Sequence, residues 1–463
     1  MTMADELGRF VAGARWEDVP APARRALKLR VLDSLGCAIG ALDAPPVRAI
    51  RADIEAFGGS PACSLIGGGR CAPADAALYN GALVRYLDFN DSYVAPGETC
   101  HPSDNLGAVL AAAQWAERDG RTLLTALAVA YQVQCRLSRE APVRRRCFDH
   151  VTHGAYAAAA GVACALGLDG ERTAHAVAIA GTALNALRST RTSLSNWKGL
   201  AAPFAAFAAT RATFLAARGV TGPRAVLEGR KGFMEAIAGP FTIDWRAEGL
   251  DAALETVLKR FAAEVHAQSA VEAVLELRRE HGIRATDVRG LEVDTFDVAR
   301  SIIGGGDEGQ KHRVATREEA DHSLPYVVAV ALVDGRVAPE QYEADRILAR
   351  EVQRLIARVA VREDPALSRR FPAELPTRVR ILLADGRVVA REQRDYLGFG
   401  TRPATRAAIE EKFAGLAGAR AGPGLCARIT HCVDALEDAR AEDLTSLLEE
   451  VEAPAAAAAG SGT

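Results

Sequence analysis

The chain has no C-x-x-C pair among its nine cysteines, and their number is odd. An iron–sulfur ligand set built on such a pair is missing, and an odd number of cysteines without one reads as free thiols, in a reducing cytoplasm. An excess of one charge is missing too: 56 Lys and Arg stand against 59 Asp and Glu, a formal charge of -3. No global field draws nucleic acid or an anionic bilayer, and an anionic ligand has to be held by local cations. The start MTMADELGRF carries Asp5 and Glu6 and lacks the basic and apolar blocks of a signal peptide. The longest apolar run, Gly154 to Leu168, falls short of a membrane span and reads as a buried helix. Neither Gly67-Gly68-Gly69 nor Gly304-Gly305-Gly306 belongs to a GxGxxG or a GK[ST] pattern. Nucleotide loops are therefore set aside in favour of flexible loops, the second a candidate edge of an active site.

What is present is ordinary globular composition, 49% hydrophobic and 25% charged over 463 residues, enough for two unequal domains. Up to about residue 240 the periodicity is helical. Leu27, Val31, Leu35 and Ile39 form one stripe after Pro20 and Pro22, and Val47, Ile50, Ile54 and Phe57 form another before Gly58-Gly59. Ala74 to Tyr86, Asn105 to Glu117, Leu123 to Leu137, Gly154 to Leu166, Glu171 to Ala180 and Ala201 to Ala217 continue the pattern, rich in Ala and Gly that permit close packing. Strand-like content begins at Val288 to Phe296 and returns at Thr377 to Glu392, the latter split by Asp385-Gly386 as a hairpin is. Helices are expected between them at Asp321 to Val333 and Asp345 to Ala357, and helical character resumes after Arg402-Pro403. The fold class expected is mainly α with an α+β domain. The helices at the two chain ends, residues 1–259 and 399–452, can join as one helical domain that leaves an α+β domain at 260–398 as an insertion, and residues 453–463 read as a disordered tail.

The polar groups gather in few places. Arg85 to Asn105 carries Asp88, Asn90, Asp91, His101, Ser103 and Asp104 on a loop between two apolar helices. Such a loop mounts functional groups, and Ser103 or Asp104 equally suits a helix cap; His101 beside carboxylates is a tunable acid or base. In RCFDHVTHGAY, His150 and His153 lie three apart without the carboxylate partner of a metal site, so one of them in acid/base or binding work is favoured over a metal pair. RSTRTSLSNWKG would be a solvated loop but for Trp197 beside Lys198 and the apolar run that follows, which imply a semi-buried ammonium needing an anion. Lys259 and His266 present the same picture at the domain junction, and Arg317, His322 and Tyr326 stand at the head of a helix, where capping is the plainer role.

In order and spacing, DFND with HPSDNLG, FDH, NWKG, VTGP with EGRKGF, HAQSAVEA, TREEADHSLPY and FPAELPTRV resemble the MmgE/PrpD family, from VLDSLGCAIGAL to AAIEEKF. HPSDNLG and ADHSLPY are similar to its methylcitrate-dehydrating branch rather than its cis-aconitate-decarboxylating one. The resemblance implies a large all-helical domain built from both chain ends with a smaller α+β lid domain between them, a homodimer, and an inter-domain cleft without metal or organic cofactor. The matching catalytic residues are Asp91, His101, Lys198, Lys259, Tyr326 and His150, with Arg191, His266, Ser103 and His322 toward the substrate, a small polycarboxylate. Dehydrating a β-hydroxy acid takes a base for a weakly acidic C–H, an acid for the departing hydroxide and fixed positive charge on the carboxylate as it gains enediolate character. Lys198, Lys259 and Arg191 supply the charge, and His101 with Tyr326 or Asp91 the proton transfers. The rivals are a decarboxylase or epimerase of a related acid, and a helical binding protein with a relic pocket. Against the latter stands the whole polar set.

Overall fold

The computed structural model describes residues 1–453; the tail expected to be disordered lies, but for Ala453, outside them. The longer helices are α1 Met3–Gly13, α2 Ala21–Gly40, α3 Pro45–Phe57, α4 Pro73–Tyr86, α5 Leu106–Trp115, α6 Gly120–Glu140, α7 Val151–Leu166, α8 Gly170–Ala183, α9 Trp197–Ala217, α10 Gln268–His281, α11 Leu324–Asp334, α12 Arg406–Asp434 and α13 Ala441–Glu449. Local chemistry starts many of them. Thr2 and Asp5 make a capping box on α1, prolines open α2, α3 and α4, and Asp119, Asp169, Ser323 and Thr405 accept backbone N–H bonds at the starts of α6, α8, α11 and α12.

The helices from α1 to α9 pack on one another, and α12 returns from the far end of the sequence to lie along α2. Small residues set the spacing: a Cβ on Gly107 of α5 would sit 2.6 Å from the backbone nitrogen of Gly81 in α4. Among the described residues, α9 alone is long and apolar enough to cross a membrane by length and composition, yet it packs against α4, α7 and α8. α12 is broken at Gly422, whose φ of +62° precedes Pro423.

Two short hairpins decorate this layer, β1 Cys63–Ser64 with β2 Arg70–Cys71, and β3 Tyr93–Val94 with β4 Thr99–Cys100. The principal sheet comes from later in the chain: β5 Val288–Thr295, β6 Val359–Glu363, β7 Thr377–Leu383 and β8 Val388–Gln393, ordered β6-β5-β7-β8. β7 and β8 form the expected hairpin, and β7 alternates between fully and partly buried residues. β6 was not expected from the sequence, being too short for a pattern; it pairs parallel with β5. α10 and α11 pack together, and α10 also lies on β7 and β8. The helix expected across Asp345 to Ala357 is divided at Leu348-Ala349 into two short pieces.

Candidate active site

The loop from α4 to α5 threads through the β3–β4 hairpin and turns sharply at Asp88, a non-glycine residue at φ +49°. That left-handed conformation costs free energy and has to be held from outside. Arg85 Nη1 donates to Asp88 Oδ1 at 2.6 Å, and Lys259 Nζ donates to its carbonyl oxygen at 2.6 Å and to Oδ1 at 2.7 Å. Lys198 Nζ, at the start of α9, stands 3.9 Å from Asp88 Oδ2 and 2.6 Å from Asp321 Oδ1, and Asp321 also accepts from His322 Nδ1 at 2.8 Å. Burial opposes ionisation of Asp88, but Arg85, Lys259 and Lys198 outweigh it and hold the carboxyl well below the usual range. Asp321 is likewise buried, and Lys198 and His322 bring it down to about 2. Burial pushes the Lys198 ammonium below its ordinary value against the pull of Asp321 and Asp88. The result is a buried network of alternating charge with one spare acceptor, Asp88 Oδ2.

Asp88, Asp321 and His322 bring ligand atoms within 4.8 Å of one another, the arrangement a divalent ion would need. Lys198 and Lys259 already neutralise those two carboxylates at hydrogen-bond distance, so a metal there would compete with two ammonium groups. The donor set fits an ion-pair network better than a metal centre.

Two histidines meet edge to face beside it, His101 and His150, with ring centres 5.2 Å apart. His101 Nδ1 lies 2.8 Å from the carbonyl oxygen of Asp91, which can only accept, so Nδ1 carries the hydrogen and Nε2 the lone pair. Burial, then Arg85 and Lys259, push its basicity well below that of a free imidazole. His101 is therefore neutral, in one tautomer, with Nε2 available as a base. His150 caps α7, and its Nε2 lies 3.1 Å from Arg191 Nη2. A guanidinium only donates, so the ring hydrogen sits on Nδ1, which is buried without a partner. Burial drives His150 down to about 3. Arg191 is oriented by Asp149, which accepts from its Nε at 2.7 Å.

Asp88, Glu98, Thr99, His101, His150, Arg191, Glu264, His266 and His322 line an inner cleft of about 30 Å³, room for about one water. His266 donates from Nδ1 to Glu264 Oε1 at 2.6 Å. Arg144 and Arg188 form the wall shared with an outer chamber of about 990 Å³, bounded on its far side by Asp297, Arg300, Asp307 and Glu308. Arg188 Nε donates to Glu308 Oε1 at 3.1 Å, tying the arginine of the shared wall to an acid of the outer chamber. His150, Lys198, His266 and His322 stand at or just before the starts of α7, α9, α10 and α11, where the helix dipoles add positive potential.

Residues 5–246 match the MmgE/PrpD N-terminal domain and residues 261–438 the MmgE/PrpD C-terminal domain. The chain belongs to the MmgE/PrpD family. A 2-methylcitrate dehydratase of Cupriavidus necator is 32% identical over 78% of this chain and 78% of its own. One from Escherichia coli is 31% identical over 73% of each, and an alkylcitrate dehydratase of a fungal species 30% identical over 83% of this chain and 82% of its own.

Set against the residues expected from the MmgE/PrpD resemblance, the structure brings His101, His150, Arg191, His266 and His322 to the cleft wall and Lys198 and Lys259 directly behind Asp88. His153 points away, bonded to Ala141 O at 2.8 Å, so of the two candidates it is His150 that faces the cleft. Three residues stand elsewhere than expected. Asp91 lies behind the wall, where its carboxylate accepts from Ser103 Oγ at 2.7 Å and Tyr131 at 2.8 Å while its carbonyl orients His101. Ser103 is spent on Asp91 and Asn90 and does not reach the cleft. Tyr326 is buried, with its hydroxyl donating to the Gln341 carbonyl and its ring against Tyr342, because the start of α11 turns it into the core rather than the cleft. Sequence reasoning missed Asp88 as the hub, together with Asp149, Glu264, Glu98 and Arg188. A readable signal was available for two of them: Asp149-His150, Glu264 before His266, and Asp321-His322 repeat one pattern, a carboxylate within two residues of an imidazole.

Proposed function

We propose that the protein is a hydro-lyase that dehydrates 2-methylcitrate, or a close hydroxy-tricarboxylate, to 2-methyl-cis-aconitate in propionate breakdown, without metal or organic cofactor. The observation that carries this is a neutral, tautomer-fixed His101 opening onto a cleft backed by Lys198, Lys259, Arg188 and Arg191. His101 Nε2 removes the proton on the carbon next to a carboxylate, and the cations stabilise the enediolate charge that builds there. Asp88 Oδ2, the spare buried acceptor, takes a substrate hydroxyl.

An inner cleft of about 30 Å³ is too small for a tricarboxylate, so the region 260–398 acts as a lid over the helical region and the Arg188–Glu308 pair parts on entry. A cytoplasmic homodimer completes the reading, supported by an apolar stripe on the outer face of α9 where Trp197, Phe204 and Leu215 are each more than 40% exposed. The test is product analysis with methylcitrate, citrate and cis-aconitate on chelator-treated protein. An unsaturated tricarboxylate absorbing in the near ultraviolet is expected. Carbon dioxide released from cis-aconitate would point to the decarboxylase, and activity that dies with chelator and returns with iron or zinc would overturn the metal-free site.

A further inference from the structure

Elimination of water needs a proton for the departing oxygen, and most groups on the cleft wall are poor sources of one. Asp88 is held ionised by Arg85, Lys259 and Lys198, Glu264 is lowered by His266 against its burial, and burial keeps His101, His150 and His322 neutral. The arginines do not give up protons at neutral pH. His266 has Nδ1 on Glu264 and Nε2 3.4 Å from Thr99 Oγ1.

Glu98 is different in place and in setting. It sits at the end of the β3–β4 turn, three residues before His101, and lines the same inner cleft. Its Oε2 accepts the backbone N–H groups of Val143 at 3.2 Å and Arg144 at 2.9 Å, and Oε1 accepts only a long bond from Thr99 N at 3.3 Å. One oxygen is thereby fixed and the other is free to carry a hydrogen. The charged groups around it are Arg188, itself tied to Glu308, Arg144, Asp149 and His266. No cation makes a direct ion pair with it among the described residues.

We infer that Glu98 is the general acid of the dehydration, delivering its proton from Oε1 to the hydroxyl that leaves. The inference rests on the dehydratase reading. His101 Nε2 takes the proton from carbon, the C–H electron pair becomes the second bond of C=C, and the C–O bond breaks with its pair on oxygen. Glu98 passes its proton to that oxygen, which departs as water. Glu98 is left as carboxylate and His101 as imidazolium, and one proton passes back between them through water before the next turnover. Burial, only partly offset by Arg188, raises the Glu98 carboxyl to about 7, so it still carries its hydrogen near neutrality.

The experiment compares two leaving groups. Glu98→Gln is assayed with the hydroxy-tricarboxylate and with the analogue bearing fluorine in place of the hydroxyl, since fluoride departs as an anion and needs no proton. Water elimination should fall about a hundredfold or more in kcat with KM little changed, while fluoride elimination stays near the wild-type rate. Equal loss of both would show that Glu98 only positions the loop, and full retention of both that it does nothing; either overturns the assignment. Should the variant fail to fold, the wild-type enzyme decides: kcat for water should fall as pH rises through about 7, where the acid form is lost, and kcat for fluoride should not. Identical profiles overturn the assignment. A wild-type protein that dehydrates no hydroxy-tricarboxylate overturns the functional reading itself, whereas one that does so as fast after Glu98→Gln overturns only the role of Glu98.

Discussion

His101 and Lys198 are equally buried, but they should fail differently. His101 has one task at Nε2 and one anchor at Asp91 O, so His101→Ala should lower kcat about a hundredfold or more with KM near normal. Lys198 holds Asp321 and faces Asp88 from behind the cleft wall, so a substrate charge settled at Asp88 would act on it. Lys198→Met should therefore raise KM and cost about 2 to 4 kcal/mol in kcat/KM. It should also melt earlier, since about 3 kcal/mol or more is lost when a buried carboxylate loses its cation. A Lys198→Met variant with unchanged Tm and kcat/KM would remove it from the network. Tyr326 supplies the contrast: Tyr326→Phe should cost about 1 kcal/mol of stability through the lost bond to Gln341 O, with kcat/KM preserved. A large fall in kcat would return Tyr326 to the chemistry. Much of the cleft was legible at this scale because histidines and lysines beside apolar runs need partners. Asp88 was not, because its importance comes from a left-handed backbone and three cations that meet only in space, one preceding it by three residues and two following by more than a hundred.

At the scale of elements, the cleft is assembled from helix starts, and the pieces that carry them lie on two sides. The α4–α5 loop, the start of α7 and the segment before α9 form one wall; the segments before α10 and α11 form the other. The helices themselves were readable from periodicity and caps, and so was the β7–β8 hairpin from Asp385-Gly386. β6 was not, since a five-residue edge strand takes its register from β5 rather than from a pattern of its own. If the two walls close on a polyanion, hydrogen exchange with a bound tricarboxylate should slow on both, at 87–105 and 188–199 and again at 297–322. Protection confined to the first two segments would place the ligand outside the cleft. The Arg188–Glu308 pair gives a second handle: Glu308→Gln removes the closing charge and frees Arg188, so substrate should associate faster and leave faster. Unchanged kinetics would mean that the passage is not the route in.

For the whole molecule, near-neutral charge and a buried site leave unexplained an apolar stripe among the described residues. Trp197, Phe204 and Leu215 recur on α9 at spacings that keep them on one helical face, and Trp115 meets Phe214 of the same helix edge to face, at 4.8 Å between ring centres. Their exposures run from 44% to 49%. The same helix carries Lys198 in its first turn, so whatever covers its outer face also steadies the ammonium at its start. A helix that sits across the helical layer and bears apolar groups on both faces is unlike a solvated surface helix, whose outer side is polar. A second copy of the chain is the occupant consistent with a two-fold contact, in which each α9 meets its own image. Phe204→Glu with Leu215→Arg should then convert a dimer into a monomer in sedimentation, and lower activity through a less ordered Lys198 rather than through lost chemistry at His101. KM should accordingly rise more than kcat falls. A wild-type protein that sediments as a monomer at micromolar concentration, or a double variant that stays dimeric, would leave the α9 stripe without this role.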